Sequence, residues 1–170
     1  MVLVNSFLIV ILVICVVTDL RERKIYNKII FPSLLVAFIA NFAIAGWAGI
    51  MSALLGFIVG LLVLFIPYYF GGIGAGDVKL LALIGALKGA SFVFYTAIYM
   101  ALIGAVIALA IIFFKRGWAK KMVYYLYGRR HGMPMEFMKD KSALTATYPY
   151  GVAIALGASI VLTFGELGVL

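Results

Sequence analysis

The sequence predicts an all-α polytopic membrane protein, a bundle of six transmembrane helices with the fourth short. Residues 1–170 form a single membrane-embedded domain. Three observations carry this reading. Of 170 residues, 66% are hydrophobic and only 12% are charged, with a mean hydropathy of +1.21. That is more apolar surface than a soluble domain of this size can hide. The apolar residues fall in runs of membrane-crossing length, separated by short polar stretches. Finally, the basic residues behind the net charge of +8 lie beside those runs. There they read as orientation signals, not as a nucleic-acid interface, so no nucleic-acid partner is expected.

The first run, Met1 to Val17, is interrupted only by Asn5, Ser6 and Cys15. It lacks the basic start and small-residue cleavage site of a signal peptide, and Asp19-Leu20-Arg21-Glu22-Arg23-Lys24 follows it. It is therefore an uncleaved first helix with Asp19 at its C-terminal end. Ile29 to Ala45 is the second span, with Pro32 near its first turn, where a missing N–H costs least. Gly46-Trp47-Ala48-Gly49 reads as a tight turn with Trp47 at interfacial depth. Ile50 to Phe70 is the third span, and its Gly56 and Gly60 share one face and permit close helix contact.

Next comes Gly71-Gly72-Ile73-Gly74-Ala75-Gly76-Asp77. The glycines leave the backbone open to close approach, and an acid set against membrane-length apolar runs is a functional candidate by default. The plain alternative is a turn in which Asp77 caps the following helix. That helix, Val78 to Leu87, is a short apolar run, and Lys88-Gly89 breaks it from the fifth span, Ala90 to Phe114. A polar stretch from Lys115 to about Thr147 follows, and Tyr148 to about Leu167 forms the last span. In the polar stretch Trp118, Met122, Tyr125 and Leu126 fall at helical spacing beside Lys120 and Lys121. This is the pattern of an amphipathic helix on the lipid surface of the cytoplasmic face.

Charge sets the orientation. Arg21, Arg23, Lys24 and Lys28 mark the first loop as cytoplasmic, and the long basic loop is marked likewise. Both fall on one side only if Val78–Leu87 crosses. That places both termini outside and the protein in the cytoplasmic membrane, multi-pass.

Two crossings separate Asp19 from Asp77, so both acids sit at the cytoplasmic edge, each at a helix end. Neighbouring carboxyls do not ionise together easily: one stays protonated while the other is a base. That pairing activates water against a peptide carbonyl. For Asp19 alone, pairing with Arg21, Arg23 or Lys24 is the plain alternative. Cys15 is the only cysteine and His131 the only histidine, so no Cys/His zinc site can form within the chain and neither metal nor another cofactor is expected.

Three segments now resemble one family. Gly74-Ala75-Gly76-Asp77-Val78-Lys79-Leu80-Leu81 resembles the GxGD signature of the type IV prepilin peptidases. Thr18-Asp19-Leu20-Arg21-Glu22-Arg23-Lys24-Ile25-Tyr26-Asn27 resembles their first catalytic segment, with Tyr26 where the family usually has proline. Tyr148-Pro149-Tyr150-Gly151-Val152-Ala153 resembles the motif that opens their last helix. The resemblance implies an aspartic endopeptidase that removes the leader of prepilin-like precursors at the cytoplasmic boundary, next to a glycine that precedes the hydrophobic helix. It implies Asp19 and Asp77 as the catalytic pair and Gly74 and Gly76 as the backbone along which substrate approaches. Lys79, Asn27, Pro149 and Gly151 are supporting candidates within the same motifs. The large CxxC-bearing insertion of bifunctional members is missing, as in the short tight-adherence (Flp) pilus peptidases, so no N-methyltransferase activity is expected. The expected partners are prepilin-like precursors and membrane lipids. An archaeal preflagellin peptidase is the sub-family alternative. From other classes, a proton-coupled transporter would need mid-depth acids and a noncatalytic secretion subunit would not need the pair. A presenilin-type protease would carry Tyr where Thr18 stands.

Overall fold

The computed structural model of the protein describes residues 2–114 and 150–166. The described residues are helical, as α1 (Val2–Glu22), α2 (Asn27–Tyr69), α3 (Ala75–Lys88), α4 (Ala90–Phe114) and α5 (Tyr150–Glu166). The chain divides into two compact units, residues 1–103 with 149–170 and residues 104–148. Of the second unit only the end of α4 is described; the other helices and the start of α4 belong to the first. The basic stretch and its expected amphipathic helix, including Trp118 to Leu126, lie outside the described residues, as does Pro149.

Three helices, α1, α2 and α4, are long and apolar enough to cross a membrane. Their outward faces carry large exposed hydrophobic side chains such as Ile9, Val13, Phe42, Leu62 and Leu102, a surface suited to lipid tails. On α1 the buried positions are Leu8, Ile11, Leu12, Cys15 and Asp19. That spacing draws one stripe down a helix, so Asp19 lies at the end of the stripe that faces the core.

α2 is two helices in antiparallel arms. Ala45 (φ −134°, ψ 15°) and Gly46 (φ 58°, ψ −137°) leave helical geometry. Beyond them the chain doubles back: the Phe38 and Phe57 rings lie 6.5 Å apart, a separation impossible along one straight helix. The break falls one step earlier than the expected Gly46–Gly49 turn, since Gly46 alone supplies the positive φ. Pro32 sits in the second turn of a helix that begins at Asn27, slightly deeper than its sequence suggested.

α3 is the centre of the unit. Nine of its residues are buried, Val78 and the run from Leu80 to Leu87. The second arm of α2 meets it backbone to backbone. A Cβ added at Gly56 would stand 2.0 Å from the Gly85 carbonyl oxygen, and one at Gly60 would stand 2.7 Å from the Ala82 Cα. Lipid tails are as apolar as leucine side chains, so this close backbone packing, and not transfer out of water, holds the two helices together. Across the first arm, Asn41 donates its Nδ2 to the Ala86 carbonyl at 3.0 Å and fixes the far end of α3.

Both ends of α3 are set by glycine. α2 stops in a Schellman turn: Gly72 N–H donates to the Pro67 carbonyl and Gly71 N–H to that of Tyr68, both at 2.9 Å, with Gly71 at φ 74°. Gly89, at φ 90°, divides α3 from α4 without a linker.

Candidate active site

One end of α3 gathers the sequence motifs. α3 starts at Ala75 with Gly74 as its N-cap, three residues earlier than the apolar run indicated. Asp77 is therefore in the first helical turn and is not the cap. The helix-capping alternative fails, although the acid still enjoys the favourable field of a helix N-terminus. Gly74 has an ordinary extended φ of −76°, so its value is space: a Cβ there would lie 3.1 Å from Asp77 Oδ2. Asp77 Oδ1 is buried and finds no hydrogen-bond partner among the described residues. Native structures rarely leave a buried polar atom so, and an open acceptor here is what a proton, water or substrate group would engage.

Asp19 comes from the last turn of α1 and is 7% exposed. Its Oδ2 accepts a buried hydrogen bond of 2.9 Å from the Gly151 N–H in the first turn of α5. Arg23, in left-handed geometry at φ 53° just past α1, acts on this carboxyl through space. Asp19 and Asp77 lie within electrostatic reach of one another, and Cys15 is buried one turn before Asp19. Three helix ends, from α1, α3 and α5, converge on this pair.

The supporting candidates among the described residues, Lys79, Asn27 and Gly151, fall into two contacts. Lys79 Nζ donates to Asn27 Oδ1 at 2.9 Å and lies 5.8 Å from the centre of the Phe31 ring. This joins the second turn of α3 to the first turn of α2. The second contact is that of Gly151 with Asp19. Gly76 has a close neighbour of its own. A Cβ there would stand 3.0 Å from Ile25 Cβ, so it seats the α1–α2 loop on α3. Ile25 was not singled out in the sequence: the bare Gly76 announced a close neighbour without naming it. Glu22 accepts a hydrogen bond from the Tyr26 hydroxyl. Among the described residues no group of three or more His, Cys, Asp or Glu could hold a metal ion.

Two acids at the ends of separate apolar helices, with backbone N–H groups around them, are equipped to share a proton and polarise water. No individual characterised protein and no solved structure gives a significant match to the chain. Residues 6–109, well over half of the chain and holding both aspartates, match the Type IV leader peptidase family, and the chain belongs to that family.

Proposed function

We propose that this protein is a membrane aspartic endopeptidase that cuts the leader from prepilin-like precursors at the cytoplasmic membrane boundary, with Asp19 and Asp77 as its catalytic pair. The observation that carries this reading is the placement of two acids at helix ends, Asp19 in the last turn of α1 and Asp77 in the first turn of α3, in helices that touch, in a chain of the leader peptidase family. The ionised carboxyl takes a proton from water as the oxygen attacks the scissile carbonyl. The protonated one hydrogen-bonds the carbonyl oxygen and stabilises the tetrahedral intermediate. When the C–N bond breaks, a proton passes from the acid pair to the departing amine. The two acids do the work usually given to a metal-bound hydroxide, so cleavage survives strong chelators.

In this reading the two arms of α2 count as separate crossings and α3 as a short one, giving six, with both termini outside and the carboxyl pair facing the cytoplasm. The precursor presents a polar leader, a glycine and an apolar helix. Prepilin and preflagellin precursors share that chemistry, and the short α1–α2 loop favours the tight-adherence sub-family. The enzyme leaves the new N-terminus unmethylated, because the short Arg23–Tyr26 connection offers no place for a methyl-donor nucleotide.

The test is cleavage of a synthetic precursor in liposomes. Asp19→Asn and Asp77→Asn each lower the rate by about 10³-fold or more, since neither acid can replace the other. Their melting temperature in detergent stays close to the parent. Near-normal cleavage by either variant removes the pair from the mechanism.

A further inference from the structure

We propose that Gly151 is a positioning residue for Asp19: its N–H and its bare α-carbon, in the first turn of α5, hold the Asp19 carboxyl in the orientation cleavage requires. The inference rests on the catalytic reading of Asp19. It concerns a residue that lies beyond the stretch matched to the family, residues 6–109.

Two independent features of the contact carry it. The first is the hydrogen bond, 2.9 Å and buried, between groups 132 residues apart. The opening N–H groups of a helix have no partner inside it, and the start of a helix favours a negative group, whereas Asp19 closes α1, where a negative group is disfavoured. The N-terminus of α5 thus supplies what α1 withholds. The second is space. Gly151 does not adopt a positive φ, so backbone freedom is not the reason for glycine. A Cβ there would stand 2.7 Å from Asp19 Oδ2 and 3.2 Å from both its Cβ and its Cγ. Any side chain at 151 turns the carboxyl away. Gly74 stands in the same relation to Asp77 Oδ2, at 3.1 Å, so each acid rests one oxygen against a glycine at a helix start. Gly157, on the same helix, needs its space for a different purpose: a Cβ there meets the Met100 nitrogen and the Thr96 oxygen of α4, each at 2.9 Å. It is the internal control, a packing glycine away from the carboxyls.

The experiment compares full-length Gly151→Ala, Gly157→Ala and Asp19→Asn in proteoliposomes on one synthetic precursor. Gly151→Ala lowers kcat about 100-fold, the scale of an ångström misplacement, with KM within about threefold of the parent. Gly157→Ala lowers the melting temperature while kcat per folded enzyme is kept. A kcat for Gly151→Ala within about threefold of the parent overturns the proposal, as does a loss explained wholly by KM or by unfolded protein. If Gly151→Ala folds poorly, the contact is read by adding Asp19→Ala: the double variant then recovers most of the lost melting temperature, because the clashes with Oδ2 and Cγ have gone and only the 3.2 Å approach to the residue 19 Cβ stays. Failure of that recovery also overturns the proposal. Asp19→Asn separates the two claims. If it cleaves normally, the catalytic reading falls. If it is inactive while Gly151→Ala is normal, only the positioning role falls.

Discussion

The α2–α3 seam and the carboxyl end of the bundle both depend on glycine, for opposite reasons. At the seam, a Cβ added at Gly56, Gly60 or Gly85 would run into backbone atoms of the facing helix. Backbone in a packed helix cannot step aside, so an added methyl must push two helices apart. At the carboxyl end, Gly74, Gly76 and Gly151 abut the side chains of Asp77, Ile25 and Asp19. A side chain can rotate. The same substitution there leaves the fold standing and moves the chemical group. One kind of glycine guards stability and the other guards geometry.

The contrast is broken most easily at the seam. Gly85→Val should destabilise the protein by at least about 3 kcal/mol, because overpacking here has no soft neighbour to absorb it. Thermal unfolding in mild detergent reads this loss, and cleavage should fall only with the folded fraction. A Gly85→Val protein that melts like the parent would erase the distinction. A middle-sized effect tests the polar contact at the other end. Lys79→Met removes the 2.9 Å bond to Asn27 and should slow cleavage about fivefold, the worth of one hydrogen bond near 1 kcal/mol. Asn27→Ala should do the same, and the double variant should be no slower than either single one. Additive losses would mean that the two residues act separately. The smallest effect sharpens the comparison by its near-absence. Tyr26, the cap of α2, has φ −81°, at the edge of the range a proline ring enforces. Tyr26→Pro gives up only an exposed contact with Glu22, so cleavage rates should stay within about twofold.

Much of this was legible in the sequence, where local rules apply. The helical class followed from hydropathy, and Asp19 and Asp77 stood out as acids at the edges of apolar runs. The break near Gly46 and the divide at Gly89 followed from glycine. What was not legible is what couples distant residues. Gly56 and Gly60 announced a tight face, but nothing local names Ala82 and Gly85 as its partners. Gly151 and Asp19 stand at opposite ends of the chain, and no periodicity links them. The start of α3 was not legible because Gly76 and Asp77 are poor helix formers. Tertiary contact with Ile25 and α2 holds them in a helical turn all the same.

The shortness of α3 also bears on how the protein is made. α3 has 14 residues, about 21 Å of helix against a hydrocarbon core near 30 Å. With Asp77, Lys79 and Lys88 along it, such a segment is a weak insertion signal by itself. The hairpin of α2 is long and strongly apolar, leaves the ribosome first, and presents the glycine face on which α3 fits. The order of synthesis therefore matches the order of need: the receptor for the least membrane-competent helix is already in the bilayer when that helix emerges.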